Sequence, residues 1–390
     1  MKFEFSTVRR IVFGQGVAEQ IPALVAGYGK RAFLVIGSKA DRLTALLDAI
    51  AARGPAVTVF NVVGEPTTES AQAAVVAARE AKTDVVVAMG GGSVLDIGKV
   101  VSAMLTNQGE LSDYLEVVGK GRPLREQAAP LLAVPTTAGT GAEVTYNTVL
   151  GVPAQQVKVS IRSPLMLPRQ AIVDPLLTQT MPPELTASTG LDALTQLIEA
   201  FVSNKANPLT DGICREGLQR AGRSLRQAFA DGADVQARED MSLASLFSGM
   251  ALANAKLGAV HGFAGPLGGM TSAPHGVICG KLLPYVMQAN VLSLQDKAAG
   301  SSEEAQVVLA RFDEIGRILT GKDAANASDA VSWIGDLCGV FCLPGLRRYG
   351  LSSADFSIVV AKARKASSMQ GNPVELNDEE LTAILARAIE

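Results

Sequence analysis

Residues 84–99 read DVVVAMGGGSVLDIGK, an apolar run followed by a glycine loop and the start of a helical pattern. The apolar run over residues 84–89 is typical of a strand buried on both faces of a parallel sheet. Gly90-Gly91-Gly92-Ser93 follows it and opens a helical pattern that continues through Lys99. Glycines at such a junction let the backbone approach a ligand, and the helix N-terminus offers free N–H groups to a phosphate. The alternative is a tight turn without a ligand, because GGGS is not the usual GxGxxG fingerprint.

The same alternation of strands and helices extends outward from this stretch. Short apolar runs predict further strands at residues 32–36, 57–63 and 131–134, and residues 68–81 have a helical pattern. This order indicates a doubly wound α/β domain. Near residue 180 strand-like runs largely disappear and an almost entirely helical pattern begins. We therefore predict an α/β dinucleotide-binding domain over residues 1–178 and an all-α domain over residues 179–390.

Composition excludes several classes of protein. The chain has 390 residues, 48% of them hydrophobic, and a formal net charge of −3 without blocks of like charge. We therefore expect no nucleic-acid partner and no disorder. We also expect no targeting segment and no membrane span, which makes a cytoplasmic protein the default. Of the four cysteines, Cys338 and Cys342 are spaced to share a helix face, as two buried small side chains or, less favoured, as a metal or redox pair.

Two further loops follow predicted strands. Residues 135–143 read PTTAGTGAE, a run of hydroxyls and glycines suited to sugar and phosphate oxygens. Gly37-Ser38-Lys39 follows the first predicted strand of the alternation, where an acidic residue would bind a ribose 2′-hydroxyl and repel a 2′-phosphate. No acid occurs there until Asp41. This loop therefore tolerates NADP, unless Lys39 is only a solvated surface charge.

Potential metal ligands lie in the second half of the chain. The only two histidines, His261 and His275, lie 14 residues apart in one glycine-rich stretch. Asp192 and Gln196 share a face of a predicted helix. A buried Asp among apolar residues needs a charge partner, which a divalent cation would provide. A capping or salt-bridged Asp is the equally weighted alternative.

Four stretches together resemble one known family. Residues 90–99, 136–143, 190–199 and 261–284 are similar, in order and spacing, to the iron-containing, or group III, alcohol dehydrogenases. The resemblance implies the dehydroquinate synthase-like architecture of an α/β dinucleotide-binding domain and an all-α domain, with the active site in the cleft between them. It implies NAD or NADP and a divalent Fe or Zn ion as cofactors. By family analogy, and with an edge-like segment at Phe3-Glu4-Phe5, we expect a homodimer.

The resemblance also implies roles for individual residues. Metal-binding and catalytic roles fall on Asp192, His261 and His275, with Gln196 at the position of a further histidine ligand. The cofactor-binding residues are Gly37, Ser38, Lys39, Gly91, Gly92, Ser93, Asp96, Thr136, Thr137, Thr145 and Lys158.

Two departures from the family pattern concern metal binding and proton transfer. A carboxamide at Gln196 is a weaker ligand for zinc or iron than an imidazole. Three interpretations follow: a three-ligand site like that of glycerol dehydrogenases, which we favour; a weak site completed by Gln196; or no metal. Gly265 stands where the family often has an additional histidine near the nicotinamide.

The predicted function is therefore that of an NAD(P)-dependent alcohol dehydrogenase or aldehyde reductase. It would transfer a hydride between the nicotinamide and a small alcohol or carbonyl with help from a metal. One alternative is a metal-free reductase of an activated carbonyl, similar to maleylacetate reductase. Another is a degenerate relative that only binds cofactor. A lyase related to dehydroquinate synthase is disfavoured because residues 261–276 contain no Lys or Arg.

Overall fold

The structure is a computed structural model that describes residues 2–37 and 43–390. It divides into two compact units. The first is Ser6–Thr180, and the second is Met181–Glu390 together with the N-terminal residues up to Phe5.

The first unit alternates strands and helices. Its described strands are β1 (Ile11–Phe13), β2 (Arg31–Ile36), β3 (Ala56–Asn61), β4 (Val85–Gly90), β5 (Leu131–Pro135), β6 (Asn147–Val152), β7 (Val157–Arg162) and β8 (Gln170–Val173). Its described helices are α1 (Ile21–Tyr28), α2 (Thr44–Ala51), α3 (Thr68–Glu80) and α4 (Gly92–Thr106). The predicted α/β fold class is confirmed.

Six of the described strands form one parallel sheet in the order β1-β8-β5-β4-β2-β3. The four strands predicted from apolar runs are β2, β3, β4 and β5, and each lies within two residues of its predicted bounds. In this order β4 lies between β2 and β5, with Gly90 in register with Pro135. The carboxyl ends of these three parallel strands therefore lie side by side at one edge of the sheet.

The sheet separates two apolar cores. Val86 and Ala88 of β4 face the core formed with α3 and α4. Val85, Val87 and Met89 face the opposite core, which includes residues of α1 and α2. Because helices cover both faces, every residue of β4 is buried, which explains the unbroken apolar run.

Strands β6 and β7 were not predicted from the sequence. They pair as an antiparallel hairpin apart from the main sheet, and Leu150, Val152, Val159 and Ile161 pack into the core beside α4. One face of β6 is more accessible, so its pattern mixes polar and apolar residues. The short outer strands β1 and β8 were also missed.

The second unit is helical in its described residues, as predicted. Its helices are α5 (Pro183–Val202), α6 (Pro208–Ala230), α7 (Val235–Asn254), α8 (Ala259–Met270), α9 (His275–Ala299), α10 (Glu303–Thr320), α11 (Ala327–Val340), α12 (Phe356–Lys365) and α13 (Asp378–Ala388). Helix α9 is long and apolar enough to cross a membrane by composition, and the bent pair α7 and α8 passes the same test. However, 61% of the α9 window is buried within the structure, as in the core helix of a globular domain.

Gly98 allows α4 to lie directly on β4. A Cβ atom at Gly98 would lie 2.5 Å from the Cβ of Ala88, which real Cβ pairs do not tolerate. A larger residue at position 98 must therefore push the helix off the sheet or distort it.

We predict that Gly98→Ala lowers the free energy of unfolding by about 1–3 kcal/mol, the typical range for an overpacked core. The matched control is Gly27→Ala, in the last turn of α1, where an added Cβ meets nothing within 4 Å. The control should be neutral or stabilise the protein by up to about 1 kcal/mol. Urea denaturation followed by circular dichroism measures both variants, and equal effects would contradict this account of the packing.

Candidate metal centre and cofactor loops

The two glycine- and threonine-containing loops lie against each other at the carboxyl ends of β4 and β5. The backbone N–H of Thr136 donates to the carbonyl of Gly90 at 3.0 Å. Added Cβ atoms at Gly91 and Gly92 would lie 3.3 Å from Thr137 and 2.9 Å from Thr140. Glycine is therefore needed for the loops to approach. Ser93 lies in the first turn of α4 and is partly exposed, so the predicted strand–loop–helix arrangement is present.

Two residues of α4 connect this helix to β6. Asp96 Oδ2 accepts a hydrogen bond from the backbone N–H of Val149 at 2.9 Å. Lys99 is fully buried. Its Nζ lies 3.1 Å from Asp96 Oδ1 and donates to Thr145 Oγ1 at 2.9 Å and to the carbonyl of Asn147 at 2.6 Å. Asp96 and Thr145, both predicted to bind cofactor, therefore also support the structure behind the loops.

The other predicted cofactor residues are more dispersed. Gly37 follows β2 and is exposed, while Lys158 lies on β7, where its Nζ forms an ion pair with Glu65 at 2.6 Å. Ser38 and Lys39 lie outside the described residues, so the NADP prediction from that loop stays a prediction.

Glu143 is an acid within the second loop that the sequence did not single out. Burial raises its pKa to about 7, although a backbone hydrogen bond and the nearby charge of Lys99 act in the opposite direction. Its neutral form is therefore favoured in the folded protein far above the usual range of a carboxyl group.

The helical unit brings a cluster of four potential metal ligands together. Asp192 lies on α5, His261 in the first turn of α8, and His275 and Cys279 in the first turns of α9. One ligand atom from each lies within 4.8 Å of all the others. Asp192 and Cys279 are buried, and His275 retains 35% exposure of its side chain.

Glycines explain why these helices can approach so closely. Gly276 follows His275, and a Cβ there would lie 2.2 Å from the backbone oxygen of Ser188 on α5. Gly280 follows Cys279, and a Cβ there would lie 2.6 Å from the Leu191 side chain. Both contacts lie within four residues of Asp192. Replacing either glycine would separate α9 from α5 and move His275 and Cys279 away from Asp192.

Asp192 and the two imidazoles form the centre of the cluster. Asp192 Oδ1 lies 3.3 Å from His261 Nε2 and 3.6 Å from His275 Nε2. Cys279 Sγ lies 3.8 Å from His261 Nε2 and 3.7 Å from His275 Nε2. Four atoms that can bind a metal therefore point at a common position.

Glu199 fixes the orientation of His261. Its Oε1 accepts from the backbone N–H of Val260, and its Oε2 lies 2.7 Å from His261 Nδ1. A carboxylate is an acceptor, so Nδ1 carries the proton and the lone pair of the neutral imidazole lies on Nε2. A carboxylate behind a histidine in this way is the usual support of a metal ligand.

Gln196 has a supporting position in this cluster. It is buried, and its Nε2 donates to Asp192 Oδ2 at 3.3 Å. Its Oε1 is buried without a hydrogen-bond partner in the structure. The amide therefore holds Asp192 through Oδ2, while both histidines lie beside Oδ1 of the same carboxylate.

The charges in the cluster are mutually dependent. Burial alone would raise the pKa of Asp192, but His275 and His261 bring it below its usual value. Burial likewise opposes a charged thiolate at Cys279, yet the same two histidines lower the pKa of that thiol. In return, Cys279 and Asp192 hold the pKa of both histidines above the usual value in spite of burial.

This set of donors fits a divalent metal ion. Carboxylate, imidazole and thiolate are all ligands of zinc and of related transition metals. The buried Oε1 of Gln196 beside them is a further polar atom, and no hydrogen-bond partner for it occurs among residues 2–37 and 43–390. The structure thus brings together three predicted metal residues, Asp192, His261 and His275.

Sequence reasoning missed Cys279 and the role of Glu199. The pair it considered, Cys338 and Cys342, does not share a helix face. Helix α11 ends at Val340, Cys342 has a φ of 49°, and Cys342 is exposed. The expectation of two buried side chains there is wrong for Cys342. The available signal for Cys279 was its position four residues after His275 on a helix.

An α/β unit with paired glycine and threonine loops, followed by a helical unit with a carboxylate–imidazole cluster, defines the class of metal-associated nicotinamide dehydrogenases. Comparison with known proteins agrees. Residues 8–175 match the family model described as iron-containing alcohol dehydrogenase. Residues 186–389 match the model of the C-terminal part of the same family. The chain belongs to the iron-containing alcohol dehydrogenase family, and it is an oxidoreductase that acts on CH–OH groups.

Individual relatives support this assignment. The chain is 39% identical over 312 residues to a 1,3-propanediol dehydrogenase of Klebsiella pneumoniae, covering 80% of this chain and 77% of the relative. The crystal structure of a 1,3-propanediol oxidoreductase superposes with a TM-score of 0.88 at 33% identity, covering 100% of both chains. A sulfoacetaldehyde reductase of Bifidobacterium kashiwanohense, solved in complex with NAD+, has a TM-score of 0.86 at 28% identity, covering 100% of this chain and 99% of the other.

We predict that Glu143→Gln makes the stability of the protein less dependent on pH. A carboxyl whose pKa is raised from 4.5 to about 7 on folding contributes fully to stability below pH 4.5, and this contribution is lost as pH rises through about 7. The variant should therefore gain stability relative to the wild type over this window, by up to about 3 kcal/mol.

Denaturation of both proteins at a series of pH values measures this difference. The comparison below pH 4.5 is the internal control, because Glu143 is then neutral in both states. A stability difference that stays constant from acid to neutral pH would show that Glu143 does not titrate in this way.

We predict that Glu199→Gln weakens metal binding by about 10–100-fold, as loss of a ligand-supporting partner usually does. The new amide can still accept from Val260 with its oxygen, but its NH2 group then faces His261 Nδ1 and favours the tautomer with the proton on Nε2. Competition with a chromophoric chelator measures zinc affinity. Glu184→Gln, an exposed position on the same helix, is the control, and equal affinities of the two variants would contradict the role of Glu199.

Proposed function

We propose that this oxidoreductase interconverts a small primary alcohol and its aldehyde with NAD(P) and a divalent metal ion bound at Asp192, His261 and His275. The observation that carries the proposal is the convergence of these three side chains in the helical unit. The metal-free alternative has less support, because the four side chains that converge, a carboxylate, two imidazoles and a thiol, are all of types that bind transition metals.

The metal and the cofactor supply separate parts of the chemistry. A divalent ion at the site would act as a Lewis acid on the substrate oxygen, while the nicotinamide exchanges the hydride. The residues of this chain orient the groups that would bind the metal. Glu199 keeps the proton of His261 on Nδ1, and Gln196 holds the second oxygen of Asp192. Gly265 provides no side-chain acid or base in the turn after His261, so proton exchange falls to water or to ribose hydroxyls.

The choice of nicotinamide is a second part of the proposal. Ser38 and Lys39 replace the acid that would exclude a 2′-phosphate, so we propose that NADPH is accepted as well as NADH. The sulfoacetaldehyde reductase to which this chain is similar was solved in complex with NAD+, which supports acceptance of the cofactor without a 2′-phosphate. The predicted homodimer stays a proposal, and the 44% exposure of Phe3 is compatible with pairing of that segment between two copies.

The names of relatives support a proposal for the substrate class. Propanediol appears in the names of both the curated relative and the solved structure. We propose short alcohols and aldehydes with an additional polar group at the far end as the first substrates to examine.

The test is oxidation of NADH and of NADPH by aldehydes, followed by the absorbance of the reduced nicotinamide. We expect turnover with both cofactors, its loss on treatment with a chelator, and its recovery with zinc or iron. His261→Ala should reduce turnover by about a hundredfold or more, because Lewis-acid stabilisation contributes several kcal/mol. Glu184→Gln is the matched surface control. Unchanged turnover and metal content in His261→Ala would refute the metal-assisted proposal, and activity with NADH alone would refute the NADP part.

A further inference from the structure

We propose that the thiolate of Cys279 is the fourth protein ligand of the metal. It would take the role of the histidine that the family pattern has at position 196, where this chain has a glutamine. This inference rests on the proposed function, since it concerns the same metal site. The family pattern has four protein ligands, an Asp, a His four residues later and two further His. In this chain Cys279 on α9 brings the number of ligands back to four, together with Asp192, His261 and His275.

The first argument is distance. Around a tetrahedral zinc ion with Zn–N of about 2.0–2.1 Å and Zn–S of about 2.3 Å, nitrogen and sulfur ligands lie about 3.6 Å apart. Sγ of Cys279 lies 3.7 Å from His275 Nε2 and 3.8 Å from His261 Nε2. Oxygen and nitrogen ligands are expected about 3.3 Å apart, and Asp192 Oδ1 lies at 3.3 Å and 3.6 Å from the two imidazole nitrogens. These four distances are close to those of ligands that share one ion, and all four atoms lie within 4.8 Å of one another.

The second argument is helical spacing. His275 and Cys279 are four residues apart on α9 and so lie on the same face, as Asp192 and Gln196 do on α5. In the family pattern the pair of ligands with this spacing lies on the helix of Asp192. In this chain a second pair with the same spacing lies on α9, and the close packing at Gly276 and Gly280 brings it to Asp192.

The third argument concerns what Gln196 does instead. Its NH2 group donates to Asp192 Oδ2, which directs the donor end of the amide at a ligand carboxylate. A neutral carboxamide oxygen is also a poorer ligand for zinc than a thiolate. Gln196 is therefore a positioning residue for Asp192, and its replacement should have a smaller effect than the loss of Cys279.

A sulfur ligand also changes which metals are preferred. Thiolates favour zinc and other thiophilic ions over harder ones. We therefore expect this chain, purified without chelators, to contain zinc in preference to iron.

The decisive experiment uses cobalt(II) as a spectroscopic substitute for zinc. Wild-type protein freed of metal and loaded with cobalt should show a thiolate-to-cobalt charge-transfer band in the near ultraviolet. Gln196→Ala should keep this band, and Cys279→Ser, a nearly isosteric change, should lose it. A cobalt-loaded wild-type protein without the band would overturn the proposal even if the variants failed to fold, because that measurement needs no substitution.

Zinc affinity provides an independent readout. Loss of a residue that supports a ligand weakens metal binding by about 10–100-fold. Cys279→Ser should weaken zinc binding by more than this, and the effect of Gln196→Ala on zinc affinity should stay within that range. In a Cys279→Ala background, adding Gln196→His should recover affinity, because it restores the four-ligand pattern of the family. Equal effects of Cys279→Ser and Gln196→Ala, or no recovery in the double variant, would contradict the assignment of Cys279.

The outcomes separate this inference from the proposed function. If about one cobalt ion binds per chain without a sulfur band, Cys279 is not a ligand and the metal-assisted dehydrogenase still stands. If the protein binds neither cobalt nor zinc, both the ligand assignment and the metal-assisted function are wrong.

Discussion

The helical unit depends on the burial of one carboxylate. Asp192 is only 2% exposed within residues 190–202 of α5, all of which are buried and most of which are apolar, and an uncompensated charge in such a place is strongly destabilising. Compensation comes from His261 and His275, which belong to two other helices. These helices must therefore approach α5 more closely than ordinary side chains allow, and Gly276 and Gly280 make that approach possible.

Much of the fold could be predicted because its central strands are buried on both faces. The runs that became β2, β3, β4 and β5 are short, apolar and bounded by polar residues or glycines, which is a local signal. The hairpin of β6 and β7 was missed because its strands mix exposed and buried positions, and its place beside α4 depends on Asp96 and Lys99, which are distant in sequence. Such pairings are decided by contacts that no window of sequence contains.

The candidate site likewise contains residues that a local sequence signal predicts and residues that only distant contacts bring together. Asp192, His261 and His275 could be selected from residue type, rarity and family pattern, and the structure brings them together. Cys279 was not predicted, because no second cysteine stands at a helical spacing from it, whereas Cys338 and Cys342 have a spacing that places them on one helix face only if the helix continues. Helix α11 ends before Cys342. Helix ends and contacts between helices are therefore the information that the sequence lacked.

The interpretation of Gln196 depends on neighbours that are distant in sequence. Considered along one helix, a glutamine in place of a histidine indicates a weakened or lost metal site. In three dimensions, the Gln196 side chain supports Asp192, because its amide donates to that carboxylate. The sulfur atom of Cys279 on α9 lies beside both imidazoles. Within the cluster, the two histidines hold the pKa values of the Asp192 carboxyl and the Cys279 thiol below their usual values, and those two groups hold the pKa values of both histidines above theirs. A divalent cation favours the same charged forms of the carboxylate and the thiolate, because ligands of these types bind a metal when they are deprotonated.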